Sequence, residues 1–558
     1  MHGMSSLRRP IAAAALLAAT CFARPARAAS PPLPAPPAVT ADQGRTLVQL
    51  ARDAMRRFLT LRVGPADVPL SAAMKDLAGK PNIAAVTLRS GGAIVGLGTC
   101  GDFDLPHNVA AAALQAMRSP RLPDRVDRAV LDALTVEVEA LSPLEPVGEA
   151  QVAHVFRPGL TGLAYGQGDS TARVLPSAAY VLDLDADQLR RSVLAGLRPA
   201  RAATTQPHGL GVFTARHFLG WPDGRVVELY RGKDLARRDG LDEKRLRAGA
   251  EMVGRFLMAN QLKTGRYATP AGEGTLREHA RATWAMAQLA RLSGAEANQP
   301  LSASVAAAVD HAATFVRRDG AAATLADERP GDRLAAAAMI ALAIRQMPRP
   351  LSRTWDLRVT LLNGLVKQLL AVDSAADTRP AVTPADLFVA YLALAGVAQT
   401  DGQFTRWLAD IRKALAGFEL NWPTEHALAF RAGLTTVPPT RSRSFTLAQL
   451  ASGALPDERG AFVLPGQQPS TVETALTAVC LAKALRGGTT SAGVQDRAAA
   501  VASWMEARRF CYRMIYQPGE AYFASDGGAW VGGVRAAPGS ARVTLGACAA
   551  AIEALLAQ

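Results

Sequence analysis

Aromatic side chains make up only 6% of this 558-residue chain, and it has just 8 histidines and 5 cysteines. The cysteines form no Cys-x-x-Cys pair and no cluster with histidine, so the sequence writes neither a zinc centre nor a thioredoxin-type motif. Beyond the first thirty residues no apolar stretch is long enough to span a bilayer, so stable membrane insertion is not expected. Runs of five or more like charges are absent, and basic and aromatic residues interleave only from Arg508 to Arg513. Nucleic-acid binding asks for a longer, concentrated stripe and is not expected. The P-loop, the Gly-x-Ser-x-Gly elbow and His-Glu-x-x-His are missing. A lone Gly-x-Gly-x-x-Gly match at Gly96, Gly98 and Gly101 runs into Asp102-Phe103-Asp104 instead of a helix, so these read as turn glycines. No metal and no cofactor is expected.

What the chain does have begins with its first residues. Arg8 and Arg9 precede an apolar run of about ten residues, and Ala26-Arg27-Ala28 follows as a cleavage pattern. Residues 1–28 are expected to be a secretory signal peptide, which places the mature protein in the periplasm or outside the cell. Ala18-Ala19-Thr20 before Cys21 is a poor lipid-attachment site. The formal charge of +14 includes Arg8, Arg9, Arg24 and Arg27; without them 58 basic residues face 48 acidic ones, about +10. A diffuse positive charge suits attraction to anionic envelope polymers. Residues 29–41 form a proline-rich linker of extended character. Export would also permit a disulfide among Cys100, Cys480, Cys511 and Cys548, with Cys511 and Cys548 the candidate pair if their helices adjoin.

Residues 42–232 read as an α+β domain. Leu47, Leu50, Ala51, Ala54 and Phe58 share one helical face. Two strands flank the Gly91-Gly92 turn, and LTVEVEAL alternates as a half-buried strand should. VTLRSGGAIVGLGT, AAALQAMRSPRLPDRV, LTVEVEALSPLEPV, RPGLTGLAYG and ARVLPSAAYVLDLD follow in order. In that order they resemble the AMMECR-type domain family, whose biochemical activity is unsettled. The family's Leu-Arg-Gly-Cys-Ile-Gly motif is altered here to Ile94-Val95-Gly96-Leu97-Gly98-Thr99. Leucine cannot serve as a thiolate nucleophile or ligand. Cys100, three residues on, cannot take that place without a register shift, so the resemblance implies a binding or structural module. The signal peptide argues against the modification chemistry suspected for cytoplasmic relatives. His107, at a helix start, reads as a cap or a solvated residue. Asp183, Asp185 and Asp187 lack the glycine and glutamate of a calcium loop and read as caps.

From residue 241 to 558 strand signals fade and Ala-rich amphipathic helices follow in six pairs: 243–261 with 275–292, 301–317 with 331–346, 355–372 with 383–398, 402–417 with 421–433, 444–455 with 470–486, and 493–513 with 541–557. Glu278, Asp332 and Asp386 recur 54 residues apart near helix starts. The second member of each pair is poorer in charge, as inner helices walled on both sides should be. The pattern resembles a six-hairpin (α/α) toroid, with an open helical solenoid as the alternative. Each half is large enough for its own core and is expected to fold by itself.

Ligand chemistry is expected where inner helices begin, because their N-termini favour acidic groups and anions. The richest start carries Tyr267, Arg277, Glu278, His279, Arg281 and Trp284. The arginines are placed to clamp a carboxylate and Trp284 to stack on a sugar. Glu278 and Asp332 are the candidate catalytic carboxylates, with Arg333, Asp386, Glu425 and His426, Glu473 and Arg542 as further candidates. Glycoside cleavage needs two carboxylates facing one bond. Two readings follow: an envelope binding or scaffold protein for an acidic polysaccharide or a partner protein, or a carbohydrate-active enzyme (hydrolase, lyase or epimerase) at the toroid mouth.

Overall fold

The computed structural model describes residues 33–62, 83–167, 170–196, 209–235, 241–293, 299–326, 330–347, 352–374, 383–395, 455–463, 468–486 and 497–557, with isolated residues between them. The expected signal peptide and the predicted helices at 402–417, 421–433 and 444–455 lie largely or wholly outside the described residues, as do Glu425 and His426. Numbering covers helices of six or more residues.

The chain is a mixed α+β protein. Helix α1 (Ala41–Leu61) starts at Thr40 in a reciprocal cap with Gln43. The proline-rich segment before it is not a free spacer. Pro34 and Pro37 are buried, and the Pro34 carbonyl accepts from Thr214 Oγ1 at 3.1 Å.

Strands β1 (Ile83–Ser90), β2 (Ala93–Cys100), β3 (Thr135–Leu141), β4 (Glu145–Val147), β5 (Thr161–Gln167), β6 (Ser170–Val174), β7 (Gly209–Gly220) and β8 (Val226–Leu229) make one curled antiparallel sheet. Its order is β2-β1-β3-β7-β5-β6, and β4 and β8 also pair with β7. Helix α2 (Leu105–Ala116) packs against β2 and β1, and α1 packs against α2. Gly96 and Gly98 are close-packing glycines, not turn residues. A Cβ at Gly98 would sit 2.0 Å from the Ala112 carbonyl oxygen, so only glycine lets α2 approach the strand. Helices α3 (Pro176–Val181) and α4 (Ala186–Ala195) follow β6, and Asp185 caps α4 through Gln188. Asp104 caps α2 and also holds His107 Nδ1 at 2.7 Å.

LTVEVEAL is not half-buried. On one face Val136, Val138 and Ala140 join the core under α1 and α2. On the other, Glu137 and Glu139 are only 1% and 2% exposed. That second face is covered because α3 and a segment of the C-terminal half lie over it.

The C-terminal half holds α5 (Glu243–Ala259), α6 (Leu276–Leu292), α7 (Gln299–Ala313), α8 (Pro330–Gln346), α9 (Ser352–Ser374), α10 (Pro384–Ala395), α11 (Thr471–Arg486), α12 (Arg497–Arg513) and α13 (Leu545–Leu556). It is not all-α. Strands β9 (Val316–Asp319) and β10 (Ala322–Leu325) form a hairpin where the sequence pattern extends a helix to 317. Helices α10, α8, α6, α13 and α11 lie side by side in that order, with α9 behind α8, α7 behind α6 and α12 behind α11 and α13. The inner members α8 and α13 are buried almost all round. One continuous core joins these helices from Leu241 to Leu555. Among the described residues no helix is long and apolar enough to cross a membrane.

Helices α12 and α13 do adjoin, yet Cys511 and Cys548 remain free thiols, as do Cys100 and Cys480. Burial pushes the Cys511 and Cys548 thiols up to about 12.

Candidate functional site

The helix-start cluster takes shape at the first turn of α6. Thr275 caps the helix, and Glu278 reaches back to the Thr275 N–H at 2.9 Å. Glu278 is thereby a capping group. Arg277 reaches along the row of helix starts, with Nη1 3.2 Å from Asp332 Oδ1 on α8 and Nη2 2.7 Å from Asp386 Oδ1 on α10. Asp386 is 1% exposed and its other oxygen accepts from Thr383 N–H and Oγ1 at 2.9 and 2.7 Å. The 54-residue spacing therefore marks successive inner helix starts, and one guanidinium ties two of them together. The two carboxylates thereby take two of the five N–H donors of Arg277 and fix its direction.

Three of the other candidates belong to the core. Tyr267 is fully buried and shares a hydrogen bond with Ser304 Oγ at 2.9 Å. His279 is fully buried too; Nδ1 accepts the Tyr267 N–H at 3.2 Å and Nε2 lies 3.1 Å from the Ala308 carbonyl. Nε2 is thus the donor, the ring is neutral, and burial pulls its pKa down to about 4. Trp284 is 3% exposed and packs in the helical core, so it offers no open face to a sugar. Arg281 is half-buried one turn along α6.

Glu473 behaves differently. It sits in the first turn of α11, half-buried, and burial raises its carboxyl above the ordinary range. No ion pair to it forms among the described residues. Gly546, at the start of α13, separates its neighbour Val472 from Glu278. A Cβ there would lie 3.8 Å from Glu278 Oε1 and 4.0 Å from Val472 Cγ2.

A second polar cluster, which the sequence did not single out, lies on the covered face of the sheet. Register places Glu139 beside His217, and Thr87 between Leu97 and Glu137. Arg89 is ion-paired to Glu137, and His217 Nε2 lies 3.0 Å from Glu137 Oε2. Burial opposes charge on Glu137, but Arg89 and His217 outweigh it and hold its carboxyl below the usual range. Burial likewise pulls His217 down, and Glu137 and Glu139 outweigh that and raise it. Glu139 goes the other way. Burial and the Glu137 charge raise it, although its Oε1 accepts the Ser177 N–H at 3.1 Å. Tyr522 of the C-terminal half closes the cluster, edge-on to His217 at 5.8 Å and with Arg89 5.4 Å from its ring centre. Leu97 lies on this same face and is 48% exposed. Cys100 points to the opposite face, against the core under α2.

A seam of buried charge joins the halves beside this cluster. Arg535 donates to the Tyr180 hydroxyl at 2.7 Å, the Gly232 carbonyl at 3.2 Å and Glu520 at 3.1 Å, and lies 3.6 Å over the Tyr516 ring. Lys233, fully buried, donates to Asp457 and to the Pro538 carbonyl. Arg231 binds Asp457 at 3.3 Å and Glu458 at 2.8 Å. Burial pulls the Lys233 amine down to about 7 despite Asp457. Among the described residues no group of three or more His, Cys, Asp or Glu is placed to hold a metal.

No protein-family model matches the chain, and no curated protein matches it. Among solved structures it is similar to an uncharacterised protein from Pyrococcus horikoshii, at 22% identity and a TM-score of 0.29, over 34% of this chain and 98% of that one.

Proposed function

We propose that this is an exported binding or scaffold protein of the cell envelope. In this reading the N-terminal half is a degenerate AMMECR-type module and the helical half a six-hairpin (α/α) toroid. The observation that carries it is the state of the helix-start carboxylates. Glu278 caps its own helix and Asp332 and Asp386 share Arg277, so the expected pair of free carboxylates facing one bond is not presented. The diffuse positive charge favours an acidic polysaccharide as ligand, with an envelope partner protein as the other candidate.

Retention of the mature protein on immobilised acidic polysaccharides, over a salt series, tests this reading. Binding that weakens with salt and leaves the polymer uncut is the expected result. N-terminal sequencing of the exported form should find a start near Ala29. Intact Met1 in a cytoplasmic fraction would remove the envelope assignment.

A carbohydrate-active enzyme is the second reading, and Glu473 is the observation that favours it. A half-buried carboxyl raised by burial and held by no ion pair among the described residues has the character of a general acid. Chain cleavage by the wild type that disappears in Glu473→Gln would put this reading in front.

A further inference from the structure

Four strands of the N-terminal sheet have a single partner, and the sequence does not treat them alike. Among the described residues β2, β4, β6 and β8 each pair on one side only. An edge of this kind offers unpaired N–H and C=O groups to another strand, and charge or proline on it discourages that pairing. β4 carries Glu145 and Pro146, β6 carries Arg173 and β8 carries Glu228. β2 reads Ala-Ile-Val-Gly-Leu-Gly-Thr-Cys, with neither charge nor proline over its 8 residues.

One side-chain contact shows which groups of β2 face outward. The Thr99 N–H donates to Gln115 Oε1 at 2.8 Å, so Thr99 turns its backbone away from β1. Alternation along the strand turns the Leu97 N–H and C=O outward as well. No hydrogen bond to these two Leu97 groups forms among the described residues. The Leu97 side chain is half-exposed too, on the face opposite α2. Edge polarity comes from α2, which runs antiparallel to β2 with Ala112 beside Gly98 and Ala116 beside Gly96. Arg118 and Arg121, just past the end of α2, therefore lie toward the Gly96 end of the edge. Asp102, in the connection from β2 to α2, lies at the Cys100 end. All three side chains are exposed.

This edge fits itself. A second β2 laid antiparallel across a two-fold axis at Leu97 sets Leu97 opposite Leu97, and each N–H donates to the other's carbonyl. The axis reverses the strand, so the basic end of one copy meets the acidic end of the other at both ends of the contact. We propose that the β2 edge is a self-association surface, through which two copies of this chain join their N-terminal sheets antiparallel. The uncharged centre lets the strands approach, and Asp102 facing Arg118 and Arg121 sets the antiparallel direction.

Sedimentation velocity of the full mature protein over a concentration series tests it. A monomer–dimer equilibrium is expected, with the dissociation constant raised tenfold or more in Leu97→Lys, which places a charge at the centre of the edge. Asp102→Arg, and Arg118→Glu with Arg121→Glu, should each weaken the dimer, and the three changes together should restore it. Leu97→Cys should cross-link the dimer on mild oxidation, because residues paired in this way have Cα atoms about 5.5 Å apart, within disulfide range. If Leu97→Lys misfolds, the charge exchange and the cross-link decide. A wild type that stays monomeric throughout would overturn the proposal and leave the edge to an extended strand of another protein. A dimer as tight in a folded Leu97→Lys, or one that the combined charge exchange fails to restore, would overturn it as well.

Discussion

Glu139 is the residue whose surroundings differ most from what its sequence position suggests. It lies two residues from Glu137, and alternation alone would send both to solvent. Instead both are buried, and their environments separate them. Glu137 takes Arg89 and His217, while Glu139 has one Ser177 N–H and its Oε2 finds no hydrogen-bond partner. Because its native pKa is raised, Glu139 contributes stability that is present below its unfolded value near 4.3 and lost as pH rises through the native value. His217, also raised, contributes in the same sense, fully below about 6.5 and lost above its native pKa. Glu139→Gln keeps an acceptor for Ser177 and abolishes the titration. Its stability relative to wild type should therefore rise as pH increases from 4 to 8, as read by urea midpoints at each pH. A constant offset across that range would mean that Glu139 stays ionised in the native state.

At the level of elements, the helices were legible because period and caps agree. The spans at 243–261, 275–292, 331–346 and 470–486 lie within two residues of the observed helices, and Thr275 with Glu278 or Thr544 before Leu545 mark the starts. The β9–β10 hairpin was not legible, since Val316-Arg317-Arg318 continues the helical pattern and only Gly320, at φ +63°, signals the turn. Site residues were read less well for a physical reason. A histidine, a tyrosine and a tryptophan near a helix start look alike in sequence whether they line a mouth or fill a core, and here Tyr267, His279 and Trp284 fill the core. The 54-residue recurrence of acids was real, but its meaning depended on Arg277, which closes the pair across three helices. Arg277→Ala leaves Asp386 as a buried carboxylate without its cation, so a loss of about 1–3 kcal/mol is expected in denaturant melts. Arg277→Ala combined with Asp386→Asn should recover part of it. A melt unchanged in Arg277→Ala would mean the ion pair is not formed in solution, and the direction of the arginine would not be fixed.

At the scale of the whole molecule, the two cores are separate but the surfaces between them are not those of independent domains. The α1–α2 core and the helical core share no members, yet Leu219, Leu229 and Tyr522 form a small apolar cluster across the boundary. Around it Lys233, Arg231, Arg535, Asp457 and Glu520 are buried and paired across the halves. Buried pairs of this kind add little net stability when whole, but breaking them leaves uncompensated charge. Division at residue 235 would break all of the Lys233 and Arg231 pairs and uncover Arg89, Glu137 and His217 by removing Tyr522. Residues 40–234 expressed alone should therefore melt below the intact chain, and the intact chain should melt in one transition. The seam also has a signature in pH. The Lys233 amine is pulled to about 7 in the folded protein against about 10.4 unfolded, so between these values the unfolded chain holds more protons. Its contribution to stability accordingly rises as pH climbs from 7 toward 10, by up to about 1.4 kcal/mol per unit. Lys233→Met lacks that slope, so wild type should gain on the variant between pH 7 and pH 9.5 in urea titrations. Parallel curves, together with a 40–234 fragment as stable as the intact chain, would show that the halves are joined only by their linker.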